Sequence, residues 1–288
     1  MGKIIGIDIG GSTTKIIGLD HGAIFSPMLV KATDPIASVY GAFGKFLSCN
    51  ELHLNQIDRI MVTGVGASFI TRDLYGIPTG KVDEFLAIGM GGLTLGGLER
   101  AIIVSMGTGT AFVHADARAD IRGGIRHLGG TGVGGGTLLG LSNRMLNVRD
   151  FDDLIETAQG GNLANIDLTI GDISHDAVGV LPPDTTASNF GNLSDLASKA
   201  DLALGIINLV FQTIGMIAVF ATRADQTRDI ILTGNLTNVP QTGQIFQHLG
   251  QLFAVNFIIP AEAEYATAAG AALASSGGLP FTEISNLA

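Results

Sequence analysis

An α/β fold of two lobes is what this chain predicts, on three observations. The segment IGIDIGGSTTKIIGLD, residues 5–20, is echoed by IIVSMGTGTAFVHAD at residues 102–116. Each copy reads as an apolar strand, a turn of Gly, Ser and Thr, and a second apolar strand, the pattern of a β-hairpin. The 41 glycines stand at turns between apolar runs and form no low-complexity tract, so they punctuate alternating strands and helices. At 288 residues, 46% of them apolar, the chain can bury two cores.

The elements follow from periodicity in order. The first hairpin leads into a third strand at 23–30, a helix over 35–48, a strand at 59–63 and a GVGAS turn. A loop ends around 81–84, and a Gly- and Leu-rich helix over 85–100 crosses to the second hairpin. The lobes expected are therefore residues 1–100 and 101–288. The second lobe continues with a glycine cluster, helices near 137–147 and 151–159, and an irregular polar region to Leu193. A long apolar helix over 202–221, a strand at 229–233 and a last helix near 265–275 complete it.

Charge and cysteine content narrow the function. With 26 acidic against 16 basic residues and no basic cluster, the net charge of −10 argues against a nucleic-acid partner. Cys49 is the single cysteine, and the start of the chain enters a strand without a secretory apolar region, so a cytoplasmic location is expected. The 202–221 stretch is long enough to raise the question of a membrane span. Asn208, Gln212 and Thr213 at its centre, without flanking aromatics, favour a buried helix and no membrane partner.

Two hairpin tips facing each other would clasp a polyphosphate. Glycine lets the backbone approach an anion, and the tips Gly10, Gly11, Ser12, Thr13, Thr14 and Gly107, Thr108, Gly109 add amide and hydroxyl donors. Duplicated hairpin lobes of this kind resemble the actin, Hsp70 and sugar-kinase superfamily. That resemblance implies ribonuclease H-like, actin-like ATPase lobes with mixed β-sheets and a nucleotide cleft between them. The strings GIDIGGSTTK, VDEF, MGTGT, HLGGTGVGGGTLLGL and PPDTTASNFG resemble, in order and spacing, the type II pantothenate kinases, from Lys3 to about Ala274. The resemblance implies transfer of the γ-phosphoryl of ATP to the primary hydroxyl of pantothenate, the first committed step towards coenzyme A.

Phosphoryl transfer needs neutralised phosphates, an oriented acceptor oxygen and a group to take its proton. Asp8 suits Mg²⁺ held through water, and an aspartate between Ile7 and Ile9 is costly to bury without a task, although a turn cap is the plainer role. Lys15 suits a β- or γ-phosphate, or else is a solvated strand residue. Through the VDEF string the family's catalytic glutamate falls on Glu84, in a first helical turn whose dipole favours carboxylate, with Asp83 as N-cap. The same position suits a simple dipole complement.

The run Gly129–Gly136 reads as a donor-rich helix start able to hold phosphate or adenosine, the plainer alternative being a flexible linker. The resemblance aligns Gly135, Gly136, Thr137, Leu138, Leu139, Phe151 and Asn235 with nucleotide contacts. It also aligns His127, beside Arg126, with an arginine near the substrate. Arginine carries a permanent charge and a donor fork that histidine lacks, so this departure puts the acceptor in question more than the use of ATP. Thr186 aligns with a threonine lent to the partner's pantothenate pocket, and a homodimer would cover the all-round apolar helix. Competing expectations are a dehydratase activator, which would bridge an iron–sulfur cluster with cysteines, a non-catalytic regulator that has lost the base, and a kinase for another small alcohol.

Overall fold

The computed structural model describes residues 2–31, 34–119, 124–174, 179, 181–276 and 281–284. Both expected hairpins form. β1 (Lys3–Ile9) and β2 (Thr14–Asp20) pair antiparallel with Ile9 opposite Thr14, and β3 (Ala23–Val30) continues from β2. β4 (Ile57–Thr63) lies parallel to β1, and β5 (Thr79–Lys81) parallel to β4. The second sheet repeats this plan. β6 (Arg100–Met106) and β7 (Thr110–Asp116) form the hairpin with Met106 opposite Thr110, and β8 (Ile125–Thr131) continues from β7. A separate small pair, β9 (Leu168–Thr169) and β10 (Thr186–Ser188), precedes the strands that complete the second sheet. β11 (Asp229–Thr233) lies parallel to β6, and β12 (Asn256–Ile258) parallel to β11. The strand orders β5-β4-β1-β2-β3 and β12-β11-β6-β7-β8 therefore correspond one to one.

Seven helices matter to the site: α1 (Pro35–Cys49), α2 (Glu84–Gly96), α3 (Gly135–Leu146), α4 (Phe151–Thr157), α5 (Lys199–Asp225), α6 (Gln241–Phe253) and α7 (Ala266–Ser276). α1 starts where Asp34 accepts a hydrogen bond from the Ala37 amide at 2.6 Å and Pro35 fills a position that needs no donor. It buries Val39, Phe43 and Phe46 against Ile5, Ile7 and Ile9 on the outer face of the first sheet. α5 covers the outer face of the second, with Ile206, Val210 and Phe211 against Ile102, Val104 and Met106. α5 has the length and apolarity of a membrane span, yet it is the core helix of this lobe. Its Asn208 donates to the Asp167 carboxylate at 2.7 Å, which satisfies the buried amide.

α2 and α7 lie between the two sheets, held close by missing side chains. A Cβ on Gly91 would stand 1.7 Å from the Ala266 carbonyl oxygen, one on Gly270 1.9 Å from that of Ala87, and one on Gly6 2.1 Å from that of Ala268. Only glycine lets these backbones meet.

Several expectations change. β5 falls in the stretch read as the loop ending around 81–84, β12 and helix α6 in a stretch given no element, and the glycine cluster after the second hairpin is in part a strand, β8. Residues 266–276 and 281–284 return to the first lobe: α7 packs on β1 and β2, and β13 (Thr282–Glu283) pairs antiparallel with β5, clipped by an Arg59–Glu283 ion pair. A single cut after residue 100 therefore does not divide the molecule.

Candidate active site

Strand parity sets the site. Successive side chains face opposite sides of a sheet, so with Ile5, Ile7 and Ile9 turned to α1, Asp8 shares the interlobe face with Gly6. In β2, Ile16 joins the α1 side, while Lys15 lies on the face whose Ile17 and Leu19 pack on α7. Ser105 shares the interlobe face of β6 with Ala101 and Ile103. Asp8 and Lys15 are direct cross-strand partners, as are Ser105 and Ala111. All four line a cavity of about 660 Å³ between the lobes. Gly10, Gly11, Ser12 and Thr13 form one wall, Gly107, Thr108, Gly109 and Thr110 the opposite one, and Glu84 and Asn235 also border it.

Each tip is closed by one of its own hydrogen bonds, Gly10 N–H to the Thr13 carbonyl at 3.0 Å and Gly107 N–H to that of Gly109 at 2.9 Å. Among the described residues, the amides of Gly11, Ser12 and Thr108 donate to nothing, which leaves donors for an anion. Thr14 is placed differently. It is buried and its hydroxyl accepts from Ser38 at 2.6 Å, so it fastens α1 rather than facing the cavity.

Charge in the cavity is confined to Asp8, Lys15 and Glu84 among its lining residues. Burial pushes the Asp8 carboxyl up, against the opposing pull of Lys15. Burial pulls the Lys15 ammonium down, and the Asp8 and Glu264 carboxylates hold it up. Lys15 is only 6% exposed, and among the described residues neither it nor Asp8 has a hydrogen-bond or ion-pair partner. Glu84 opens α2 behind its N-cap Asp83, which accepts from the Leu86 amide at 3.0 Å. The helix end was expected to keep Glu84 ionised. Burial and the Asp8 and Asp83 carboxylates instead push its pKa up.

A second repeat lies beneath the hairpins. Thr63-Gly64 ends β4 and Thr233-Gly234 ends β11, each glycine at positive φ (85° and 90°) before a 3₁₀ turn. A Cβ on Gly64 would stand 2.5 Å from Asp8 Oδ1, and one on Gly234 2.4 Å from the Met106 carbonyl oxygen. The turn after Gly234 presents Asn235, whose Nδ2 reaches Thr13 Oγ1 at 3.4 Å across the cleft while its Oδ1 is buried without a partner among the described residues. The echo of VTG at 62–64 in LTG at 232–234 was the sequence signal for this pair of turns.

Other expected residues lie elsewhere. The start of α3 spends its donors on the protein: Gly135 N–H reaches the Gly107 carbonyl and Gly136 N–H that of Thr108, both at 2.9 Å. This braces the second tip. Thr137 donates to the Gly132 carbonyl at 3.0 Å, Leu138 is fully buried, and neither Leu139 nor Phe151 borders the cavity; Phe151 packs at the edge of the second core. Within the glycine run it is Gly130, Thr131 and Gly132, on and after β8, that line it. Arg126 lies 3.6 Å from Asp225, and His127 stacks on Phe85 with ring centroids 3.8 Å apart. Thr186 accepts from Gln212 at 3.0 Å in a different cavity, of about 820 Å³, between α5 and α6.

The family model described as Fumble matches residues 101–257. This chain belongs to the Fumble family. Type II pantothenate kinases of Staphylococcus aureus strains RF122 and USA300 are each 29% identical to this Fumble protein over 242 residues, covering 80% of it and 84% of the relative. The resemblance carried by the sequence strings is thereby borne out. Among solved structures, the activator of 2-hydroxyisocaproyl-CoA dehydratase from Clostridium difficile with bound ADPNP superposes with a TM-score of 0.67 at 16% identity, covering 96% of this chain and 98% of that one. A ROK family glucokinase from Streptomyces griseus in complex with glucose and AMPPNP gives 0.59 at 13% identity, with coverage of 94% and 98%. The fold is that of the two-lobe actin-like ATPases and ROK proteins.

Proposed function

We propose that this chain is an ATP-dependent pantothenate kinase that makes phosphopantothenate. The observation that carries the reading is the meeting of three charged groups, Asp8, Lys15 and Glu84, with two donor-bearing hairpin tips on one interlobe cavity. The relatives named type II pantothenate kinase supply the acceptor. The tip amides of Gly11, Ser12 and Thr108 hold phosphate oxygens, and Lys15 neutralises charge on the phosphate being transferred. Glu84 orients the attacking hydroxyl and takes its proton as the new O–P bond forms and the bond to ADP breaks. Its raised pKa makes it a stronger base than an exposed carboxylate.

A divalent cation fits the residues present. Asp8 offers a buried hard oxygen ligand without a hydrogen-bond donor, and no group of three or more acidic, His or Cys side chains able to cage a metal exists among the described residues. That suits Mg²⁺ held mainly by water and phosphates, with Asp8 as its protein anchor. When bound, the ion supplies further neutralisation of the phosphates.

A homodimer belongs to the same reading, because Thr186 faces a cavity other than the one holding Glu84 and so would meet an acceptor only in a second copy. The dehydratase-activator alternative finds no support at the site: Cys49 ends α1 and does not line the cavity. A cytoplasmic location goes with the proposed step. The test is an acceptor screen with ATP and Mg²⁺ against pantothenate, N-acetylhexosamines and other small alcohols, read as ADP release and phosphorylated product. Pantothenate should be the preferred acceptor, and preference for a sugar would reject the reading.

A further inference from the structure

The floor of the interlobe cavity is made by the two helices between the sheets. Glu84 and Ile88 line it from α2, and Thr267, in the first turn of α7, lines it from the other side. α7 comes this close because Gly6 has no side chain: the Ala268 carbonyl lies against it, and Asp8 follows two residues later on the same face of β1. Glu264, three residues before Thr267, is near enough for its carboxylate to hold up the charge on Lys15. The helix therefore starts beside the Asp8 and Lys15 pair.

Thr267 is 7% exposed, yet among the described residues its hydroxyl has no hydrogen-bond partner. Buried threonines elsewhere in the molecule are satisfied. Thr63 donates to the Val82 carbonyl at 3.0 Å, Thr110 to that of Val133 at 2.8 Å and Thr242 to that of Leu236 at 2.8 Å. Helical threonines turn back on their own helix, as Thr213 does to the Leu209 carbonyl at 2.7 Å and Thr222 to that of Val219 at 2.8 Å. Thr267 makes no such bond. Of the three buried polar side chains lining the cavity, Lys15, Thr110 and Thr267, only Thr110 is satisfied within the described protein. A buried hydroxyl left idle lowers stability, and a ligand that accepts from it repays that loss on binding. An ammonium and a hydroxyl donor together, at a helix start whose dipole adds positive charge, suit an anion.

Resting on the kinase reading above, we propose that Thr267 is a further phosphate-binding residue, whose hydroxyl donates to an oxygen of the terminal phosphoryl group of the nucleotide. Its place on the floor selects that group. The phosphate that reacts must lie next to the hydroxyl oriented by Glu84, which opens α2 on the same floor, while the tip amides hold the rest of the polyphosphate from the walls. ADP lacks the terminal group and binds without Thr267. The residue thereby distinguishes a nucleoside triphosphate from a diphosphate, and its hold ends when the phosphoryl group is transferred.

The experiment titrates the full chain with AMPPNP and with ADP, each with Mg²⁺, by calorimetry, and melts the nucleotide-free protein. Thr267→Val should weaken AMPPNP binding by about tenfold or more and leave the Kd for ADP within about twofold of wild type. Its nucleotide-free melting temperature should equal or exceed that of wild type, since a methyl replaces a hydroxyl without a partner. Thr267→Ser keeps the donor and should hold the ratio of the two Kd values within about threefold of wild type. Thr267→Ala should repeat the loss for AMPPNP alone and serves if valine does not fold. Equal weakening of both nucleotides, or no change in either, overturns the proposal. Pantothenate turnover is measured in parallel: a wild type that binds both nucleotides but phosphorylates no pantothenate rejects the acceptor reading and leaves the ratio to decide the proposal. Binding of neither nucleotide rejects both.

Discussion

At equivalent places on two matching sheets, the first hairpin sets Asp8 opposite Lys15 and the second sets Ser105 opposite Ala111. The backbones agree down to strand order and to the positive-φ glycine that follows the adjoining parallel strand. The charges do not. The first hairpin holds two of the three charged groups that line the cavity, Glu84 comes from the start of α2 between the sheets, and the second hairpin offers amides and hydroxyls alone. The repeated strand plan makes a symmetric cradle, and the side chains of the first hairpin and of the start of α2 give it a direction.

Exchanging chemistry at the paired positions should expose that asymmetry first. Asp8→Asn is expected to lower kcat/KM by roughly 10³-fold, the scale of losing an anchored divalent cation, whereas Ser105→Ala should cost less than about fivefold. Steady-state kinetics over a Mg²⁺ series measures both, and comparable losses would end the distinction between the halves.

The glycine turns sharpen the comparison. Gly64→Ala and Gly234→Ala each force a side chain into positive φ and into a carboxylate or carbonyl oxygen, so each should lower unfolding stability by about 1–3 kcal/mol. Gly64→Ala alone should also depress activity in the protein that remains folded, because the atom its Cβ meets is Asp8 Oδ1. Denaturant titration together with the activity of the folded fraction separates the two effects.

Glu84 links pH to both rate and stability. Its carboxyl titrates above the ordinary value of 4.5 in the folded chain, so kcat should fall as pH drops through that raised value. The folded state binds the extra proton, so this group's contribution to stability is present below 4.5 and lost as pH rises through the folded pKa. Glu84→Gln should therefore be more stable than wild type near neutrality by on the order of 1 kcal/mol, with the gap closing in acid. Thermal melts across pH read this directly. Smallest of all, Asn235→Ala removes one long interlobe hydrogen bond and should raise the KM for ATP only about two- to fivefold.

The hairpins, α1, α5 and the fold class were legible because their apolar periods are long and their caps local. What escaped was short or glycine-rich. β5 and β12 have three residues each, too few to show alternation, and β8 ends in Gly129-Gly130-Thr131, which reads as loop. Asp8, Lys15, Glu84 and the two tips are found together in the structure, since each sits at a strand end or helix start that the pattern marks. The amides of Gly135 and Gly136 are spent within the protein for a physical reason. Helix-start amides bind whatever acceptor lies nearest, and here the carbonyls of Gly107 and Thr108 arrive first. His127 was marked by the resemblance, but its stack on Phe85 gave no local signal, because it exists only once β8 crosses α2.

The most direct test of a cleft that binds with both halves and reacts with one is Glu84→Gln, assayed for phosphopantothenate formation and titrated with a non-hydrolysable ATP analogue. A loss in kcat of roughly 10²–10⁴-fold, with nucleotide Kd within about twofold of wild type, is the expected result. Unchanged turnover would remove Glu84 from the chemistry, and a collapse of nucleotide binding would mean that the carboxylate holds the cleft together rather than taking the proton.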